Sequence, residues 1–290
     1  MLSLFNGTAH PPPPAQESRA RVENDPPRMT LLTKLPLLAM VSSAKAFAGT
    51  ARLAENGIAA VLFDIDGTLV DSDPVHYSVF RELLSEVEGF NGGILIDEDF
   101  FRSSISGRSN AQIAADFFPD WSVDRRERWS EMKEARFREA AASTMMRSKM
   151  PGLDRLRDWL NERDGTVRRA AVTNAPRLNA EAIIGGIGYD GWFETLVIGD
   201  ECERAKPDPC PYLTACGALS VEPGDCIVFE DSPSGATAGK AAGAEVIGVL
   251  SGNTRSSLLD AGCSLLIENF EDPKLWDYLE RVSASAAIKA

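Results

Sequence analysis

Residues 59–69 read Ala-Ala-Val-Leu-Phe-Asp-Ile-Asp-Gly-Thr-Leu, an apolar run followed by two aspartates. Because the apolar residues are continuous rather than alternating, they predict a strand that is buried on both faces of a sheet. Asp64 and Asp66 lie where the chain leaves that strand. Both carboxylates can point into one pocket only if the backbone turns at once, and Gly67 supplies the conformational freedom for such a turn.

Similar apolar runs recur along the chain and alternate with amphipathic segments. The runs occupy residues 170–172, 195–198, 226–229, 246–250 and 264–267. One intervening segment places Leu153, Leu156, Trp159 and Leu160 on a single helical stripe. Alternation of this kind predicts an α/β fold, a doubly wound (Rossmann-like) parallel sheet with helices on both faces.

The interval from Val75 to about Lys149 breaks this alternation. It contains several helical patterns and no convincing strand, and one pattern places Trp129, Met132 and Phe137 on a common face. A helical insertion after the first strand would lie above the carboxyl ends of the strands, where open α/β sheets bind ligands. The predicted organisation is therefore an N-terminal extension at 1–57, an α/β core at 58–74 and 150–284, and a helical insertion at 75–149.

The composition limits the class of function. The chain has 290 residues, of which 44% are hydrophobic, and this is enough for a large core. Its 43 acidic and 30 basic residues give a net charge of -13, which argues against general binding to nucleic acid or to membrane surfaces. An anionic substrate would need a local counter-charge, such as a metal ion or a lysine. The five cysteines show neither a CxxC pair nor a zinc spacing, which favours a reducing compartment.

The N-terminal stretch differs in composition from the remainder. The prolines at 11–14 and at 26–27 predict disorder there. Residues 29–48 combine Lys34, a short apolar run and an Ala46-Phe47-Ala48 ending that resembles a presequence cleavage site. Two interpretations stay open: a cytoplasmic protein with a tail of no function, or an organellar (plastid) protein in which residues 1–48 act as a presequence.

The two aspartates can carry out nucleophilic chemistry at phosphorus. The carboxylate of Asp64 can attack a phosphorus atom and form an aspartyl-phosphate. Asp66 can protonate the leaving oxygen and later deprotonate water. The alternative is an Asx-turn that caps the following helix.

Polar residues also follow three other predicted strands, in the pairs Thr173-Asn174, Lys206-Pro207 and Glu230-Asp231. Taken singly, Thr173-Asn174 could form a turn, Lys206 could be a solvated lysine, and Glu230-Asp231 could cap a helix. Because the carboxyl ends of parallel strands meet at one edge of a sheet, we expect all three pairs to lie beside Asp64.

The order of these motifs resembles the haloacid dehalogenase-like hydrolase superfamily. Asp64-x-Asp66-x-Thr68 is similar to its first motif, and Val172 to Asn174, Lys206 to Pro209 and Phe229 to Ser232 are similar to the second, third and fourth. The resemblance runs from about Ala59 to Leu279. It implies a Mg²⁺-dependent phosphohydrolase, since carboxylate oxygens suit that ion.

The resemblance also implies residue roles. Catalysis is assigned to Asp64, Asp66, Thr173 and Lys206, contact with the substrate to Thr68 and Asn174, and Mg²⁺ binding to Asp64, Asp66, Glu230 and Asp231. Asp66 would contribute its backbone carbonyl, and Glu230 would bind the ion directly or through an intervening group.

The insertion resembles the helical cap of the beta-phosphoglucomutase-like branch, and it adds His76, Gly107 and Arg108 as residues that meet the substrate. The arginine is offset from its place in the mutases, which counts against mutase activity. The overall pattern is most similar to plant-type sugar phosphatases of this branch, on the segments at 173–176, 199–203 and 268–276.

Three functions compete at this point. The first is a phosphatase of small sugar or polyol phosphates, the second is a phosphosugar mutase, and the third is a catalytically silent binding module. The predicted partner is a small phosphorylated metabolite, with no nucleic acid and no membrane, and the predicted state is a monomer.

Overall fold

A computed structural model describes residues 52–106, 108–163 and 165–287. All six predicted strands are present, with small shifts of their ends. They are β1 (Ala60–Phe63), β2 (Arg168–Thr173), β3 (Thr195–Ile198), β4 (Cys226–Glu230), β5 (Glu245–Val249) and β6 (Leu265–Ile267). All neighbouring strands are parallel, and their order is β3-β2-β1-β4-β5-β6. The order reverses between β1 and β4, and this is where open sheets of this type form a crevice.

Four helices follow the first strand. They are α1 (Asp73–Ser85), α2 (Glu98–Ser104), α3 (Asn110–Phe117) and α4 (Val123–Ser148). Among the residues described between Val75 and Lys149, an isolated bridge at Lys149 is the only β pairing, so the predicted helical insertion is confirmed. Its first helix begins at Asp73, slightly before the predicted boundary, because Pro74 occupies the first turn, where a missing N–H costs nothing.

Six helices cover the sheet after the insertion. They are α5 (Leu153–Asn161), α6 (Arg177–Gly186), α7 (Cys210–Leu219), α8 (Pro233–Ala242), α9 (Arg255–Asp260) and α10 (Pro273–Ala287). β1 is buried along its whole length, with Val61 and Phe63 in one apolar cluster and Ala60 and Leu62 in another. This two-sided burial is the physical reason for the continuous apolar run in the sequence.

The insertion and the α/β core share part of their apolar packing. Phe137, Ala141 and Met145 in the second half of α4 lie in the same buried cluster as Ala180 and Ile183 of α6. The remainder of the insertion has its own cluster, which includes Phe80, Phe101, Phe118 and Trp129. α4 therefore connects the two apolar clusters.

The predicted buried face of α4 was wrong at one residue, Met132. Met132 is 44% exposed, whereas Trp129, Lys133 and Phe137 are buried. The buried face of α4 repeats every four residues, and a charged residue occupies the position that the sequence interpretation gave to Met132.

Within the described ranges, no helix is both long enough and apolar enough to cross a bilayer. The predicted targeting segment at 1–48 lies outside the described residues. The disorder predicted as far as residue 57 is wrong at its end, because residues 52–56 are helical and Leu53 is buried in the same apolar cluster as Val61 and Phe63.

Candidate active site

The turn after β1 brings the two aspartates to the carboxyl edge of the sheet. The Asp64 N–H donates to the Phe229 carbonyl at 3.0 Å, so strand pairing continues for one more residue. Gly67 has a φ of +76°, in the left-handed region that a side chain disfavours. A Cβ atom at Gly67 would overlap the carboxylate of Asp231. The glycine therefore permits both the turn and the close approach of the segment that follows β4.

Lys206 is the electrostatic centre of the site. Its buried ammonium donates to Asp64 Oδ1 at 2.7 Å, to Glu230 Oε1 at 2.6 Å and to the Val172 carbonyl at 2.7 Å. These acceptors follow or belong to β1, β4 and β2, so three strands converge on one nitrogen atom. An ammonium group has three N–H donors, and each of them has an acceptor here.

The loop that carries Lys206 is held by Asn174. Lys206 does not follow its strand directly, because a 3₁₀ turn and an irregular segment separate it from β3. The side chain of Asn174 accepts from the Lys206 backbone N–H at 3.2 Å and donates to the Lys206 carbonyl at 3.1 Å. The sequence analysis assigned Asn174 to substrate binding and missed this positioning contact.

The two acidic residues at the end of β4, Glu230 and Asp231, differ in their surroundings. Glu230 is fully buried, and both of its oxygens accept from protein donors. Asp231 is half-buried and has one weak contact, with the Ser251 hydroxyl at 3.5 Å. Burial and the nearby charges of Asp64 and Glu230 raise the pKa of Asp231 well above its ordinary value. Asp231 is therefore the better placed of the two to accept a cation.

The carboxylates around Asp64 carry more negative charge, when ionised, than Lys206 can balance. Burial raises the pKa of Asp64, Lys206 lowers it, and the charges of Glu230 and Asp66 raise it again, so that the resulting pKa is about 8. For Lys206, burial lowers the pKa, but the charges of Asp64 and Glu230 outweigh burial and raise it. Lys206 is therefore charged at neutral pH and still does not balance the carboxylates.

This donor set fits a divalent cation. Oxygen atoms of Asp64, Glu230 and Asp231 lie within 4.8 Å of one another. Hard carboxylate oxygens and an uncompensated negative charge suit Mg²⁺.

Asp66 lies beside Ser72 and His76. The Ser72 hydroxyl donates to Asp66 Oδ1 at 2.6 Å, and His76 Nε2 lies 3.7 Å from the same oxygen. Burial alone would raise the pKa of Asp66, but His76, Ser72 and the more distant charge of Lys133 outweigh it, and the pKa is lowered. The His76 ring stacks on Phe137 of α4 at a centroid distance of 4.1 Å. Asp66 is thus ionised in the free protein, which is the form of a general base.

Two buried threonines complete this edge of the sheet. The Thr68 side chain is fully buried, and none of the described residues hydrogen-bonds its hydroxyl. A buried hydroxyl without a partner is costly unless a ligand satisfies it. Thr173 is 1% exposed, and its hydroxyl accepts from the Ala175 N–H at 3.0 Å. The catalytic role assigned to Thr173 and the substrate contact assigned to Thr68 remain predictions.

The structure says little about Gly107 and Arg108, the two residues of the insertion loop that were predicted to meet the substrate. Arg108 donates to the Ser104 carbonyl at 2.8 Å and pairs with Asp116, so its described contacts stay within the insertion. Gly107 lies outside the described residues. The roles assigned to both residues remain predictions.

Sequence reasoning missed Lys133. Its ammonium is buried, lies 3.1 Å from Glu134 Oε1 and sits 5.2 Å and 5.3 Å from the ring centres of Phe80 and Phe137. Because a lysine on a helix is usually solvated, Lys133 was not predicted to be buried. Its position four residues from both Trp129 and Phe137, in an apolar stripe, is the signal that could have revealed it.

Paired aspartates, a buried lysine and an acidic pair lie together on one edge of this Rossmann-like parallel sheet, and this fold and site indicate a hydrolase of phosphate esters. A family model described as haloacid dehalogenase-like hydrolase matches residues 58–243. The chain belongs to this family.

Two curated relatives and one solved structure illustrate the similarity. Validoxylamine A 7'-phosphate phosphatase of Streptomyces hygroscopicus subsp. limoneus is 32% identical over 204 residues, which cover 69% of this chain and 89% of that protein. The phosphorylated carbohydrates phosphatase of Thermotoga maritima is 29% identical over 215 residues, or 72% of this chain and 94% of that protein. A HAD hydrolase (family IA, variant 3) from Entamoeba histolytica aligns with a TM-score of 0.64 and 28% identity, and the alignment covers 78% of this chain and 99% of that one.

Proposed function

We propose that this protein is a Mg²⁺-dependent phosphatase of small sugar or polyol phosphates that works through an aspartyl-phosphate. The observation that carries this proposal is the hydrogen bond from Lys206 to Asp64, which fixes a buried carboxylate beside Asp66 and Asp231. The names of the two relatives support phosphatase activity on a small phosphorylated compound, since one is a phosphatase of validoxylamine A 7'-phosphate and the other a phosphatase of phosphorylated carbohydrates.

In the first step, Asp64 must be a carboxylate, so the proton that its raised pKa retains in the free protein is first released to solvent. One oxygen of Asp64 then attacks the phosphorus atom, and the bond from phosphorus to the ester oxygen breaks. The leaving oxygen takes a proton from Asp66. Because Asp66 is ionised in the free protein, it must first gain that proton, and the incoming dianionic phosphoryl group favours this by raising its pKa again. The Lys206 ammonium offsets the negative charge between Asp64 and the phosphoryl oxygens.

In the second step, Asp66 is again a carboxylate and removes a proton from a water molecule. The water oxygen attacks phosphorus, the acyl-phosphate bond breaks, and Asp64 and inorganic phosphate are released. The hydroxyls of Thr68 and Thr173 and the backbone N–H of Asn174 hold the phosphoryl oxygens in both steps.

Mg²⁺ would be bound by Asp64, Asp231 and the backbone carbonyl of Asp66, with Glu230 close by, and it would neutralise charge on the phosphoryl oxygens. Every proton transfer above is performed by residues of the chain itself.

The helical insertion is proposed to act as a cap, with residues 75–149 as one unit above the core at 58–74 and 150–284. The stacking of His76 on Phe137 supports this, because it joins the residue beside Asp66 to the longest helix of the insertion. Gly107 and Arg108 would meet the substrate from the loop before α3. Closure of such a unit excludes water until the ester has reacted.

The experiment is a screen of phosphorylated metabolites with release of inorganic phosphate as the measurement, run with the wild-type chain and with Asp64→Asn. We expect release from sugar or polyol phosphates by the wild type and none by the variant. Isomerised sugar phosphate without net phosphate release would overturn the phosphatase assignment, and so would equal release by the two proteins.

A further inference from the structure

Tyr212 is a buried side chain that the mechanism above does not use. It lies in the first turn of α7 and has no exposed surface. Its hydroxyl donates to Glu230 Oε1 at 2.7 Å, and the centre of its ring lies 4.9 Å from Lys206 Nζ. Tyr212 therefore contacts Glu230 and Lys206, the two residues that determine where the ammonium charge lies relative to Asp64.

The hydroxyl of Tyr212 completes the hydrogen bonding of the Glu230 carboxylate. Oε1 accepts from Lys206 and Tyr212, while Oε2 accepts from the N–H and the hydroxyl of Ser232 at 3.3 Å and 3.0 Å. Each carboxylate oxygen has two lone pairs, so four donors saturate the group. A saturated carboxylate cannot turn toward a cation without losing one of these bonds.

The orientation of Glu230 in turn affects Lys206. The ammonium is shared among Asp64 Oδ1, Glu230 Oε1 and the Val172 carbonyl. If Glu230 lost a donor on Oε1, its attraction for Lys206 and for any nearby cation would grow at the expense of Asp64.

We propose that Tyr212 is a positioning residue: its hydroxyl donates to Glu230 Oε1 and so limits the attraction of Glu230 for Lys206 and for a cation, which leaves the ammonium facing Asp64 and the cation to Asp64 and Asp231. This inference rests on the proposed function for its effect on turnover. Its effect on cation binding can be measured without any turnover.

Tyr212→Phe tests this inference because it removes only the hydroxyl and keeps the ring beside Lys206. We expect kcat to fall about 10-fold with little change in KM, since groups that orient the ligands of a metal site change activity or metal affinity by about 10- to 100-fold. We also expect the metal-free variant to bind Mg²⁺ several-fold more tightly, because an oxygen of Glu230 becomes available to the ion. A purely structural defect would weaken both properties.

Tyr189→Phe is the matched control. Tyr189 is 1% exposed and its hydroxyl also donates to a carboxylate, Asp154 Oδ1, at 3.0 Å. Both variants lose a hydroxyl that donates to a carboxylate, but Asp154 is 52% exposed whereas Glu230 is fully buried, so we expect a smaller decrease in Tm for Tyr189→Phe. Only Tyr212→Phe should change kcat and the dissociation constant for Mg²⁺.

The measurements are steady-state kinetics at saturating Mg²⁺, calorimetric titration of the metal-free proteins with Mg²⁺, and thermal unfolding. In a Glu230→Gln background, Tyr212→Phe should have little further effect, because it acts through Glu230. The inference is overturned if Tyr212→Phe matches Tyr189→Phe in kcat and Mg²⁺ affinity, or if its effect is undiminished in the Glu230→Gln background. If no phosphate ester is hydrolysed by the wild type, the proposed function fails, and the calorimetric comparison still decides the role of Tyr212.

Discussion

Replacing Asp64 by Asn should stabilise the metal-free protein while it abolishes turnover. The pKa of Asp64 rises from 3.8 to about 8, chiefly because the group is buried. Between these two values the folded state binds a proton that the unfolded state has released, so stability falls as the pH rises through this window. About three pH units separate 3.8 from pH 7, and at about 1.36 kcal/mol per unit the proton that folded Asp64 retains lowers the free energy of unfolding by at most about 4 kcal/mol. Asn has the same shape and no charge.

The expected gain in the free energy of unfolding is about 1 to 4 kcal/mol at pH 7, since Asp231 can share the proton and reduce the cost. For a chain of this size, each kcal/mol corresponds to a rise in Tm of about 2 to 4 °C. The assay is thermal unfolding in EDTA at pH 5, 7 and 8. The advantage of Asp64→Asn should be small at pH 5, larger at pH 7 and 8, and reduced by Mg²⁺, which balances the wild-type carboxylates.

Asp225→Asn is the control for this prediction. Arg52 lowers the pKa of Asp225, so removal of that charge should leave Tm unchanged or slightly lower. The reasoning is refuted if Asp64→Asn is less stable than the wild type in EDTA at pH 7 and 8.

Three further predictions concern activity. EDTA should abolish phosphate release and added Mg²⁺ should restore it, so metal-independent turnover would contradict the proposed site. Asp66→Ala should lower kcat by about 10²-fold with a small effect on KM, as for loss of a general acid/base, and full turnover would remove Asp66 from the mechanism. Gly67→Ala should cost about 1 to 2 kcal/mol in backbone strain and also displace Asp231, with a large loss of activity. Gly89→Ala is the control, because Gly89 has a similar φ of +75° and no atom lies near the added Cβ. This variant should lose stability but keep its activity. Equal activity in the Gly67 and Gly89 variants would contradict the argument.

Much of the fold could be predicted because the strands are buried on both sides. The apolar runs at 59–63 and 226–229 needed no tertiary information to be recognised as strands. The predicted grouping of Asp64, Lys206 and Glu230 is confirmed by their hydrogen bonds, since parallel strands present their carboxyl ends at one edge.

The remaining parts of the site depend on contacts between distant segments. Tyr212 reaches Glu230 from a helix, and the apolar face of that helix gives no indication that its hydroxyl has a carboxylate partner. Asn174 supports the backbone at Lys206, a contact that depends on the path of an irregular loop. Lys133 was missed because a helical lysine is usually solvated; its spacing from Trp129 and Phe137 indicates a buried position, but not the enclosure of its ammonium by Phe80 and Phe137.

The covalent intermediate on Asp64 offers the most direct test of the mechanism. The wild-type protein would be mixed with a sugar phosphate that it hydrolyses and Mg²⁺, quenched in acid within the first turnover, digested and analysed by mass spectrometry. We predict one added phosphoryl group on the peptide that contains Asp64, and none in Asp64→Asn. Hydrolysis with no labelled peptide, or with the label on another residue, would contradict the assignment of Asp64 as the nucleophile.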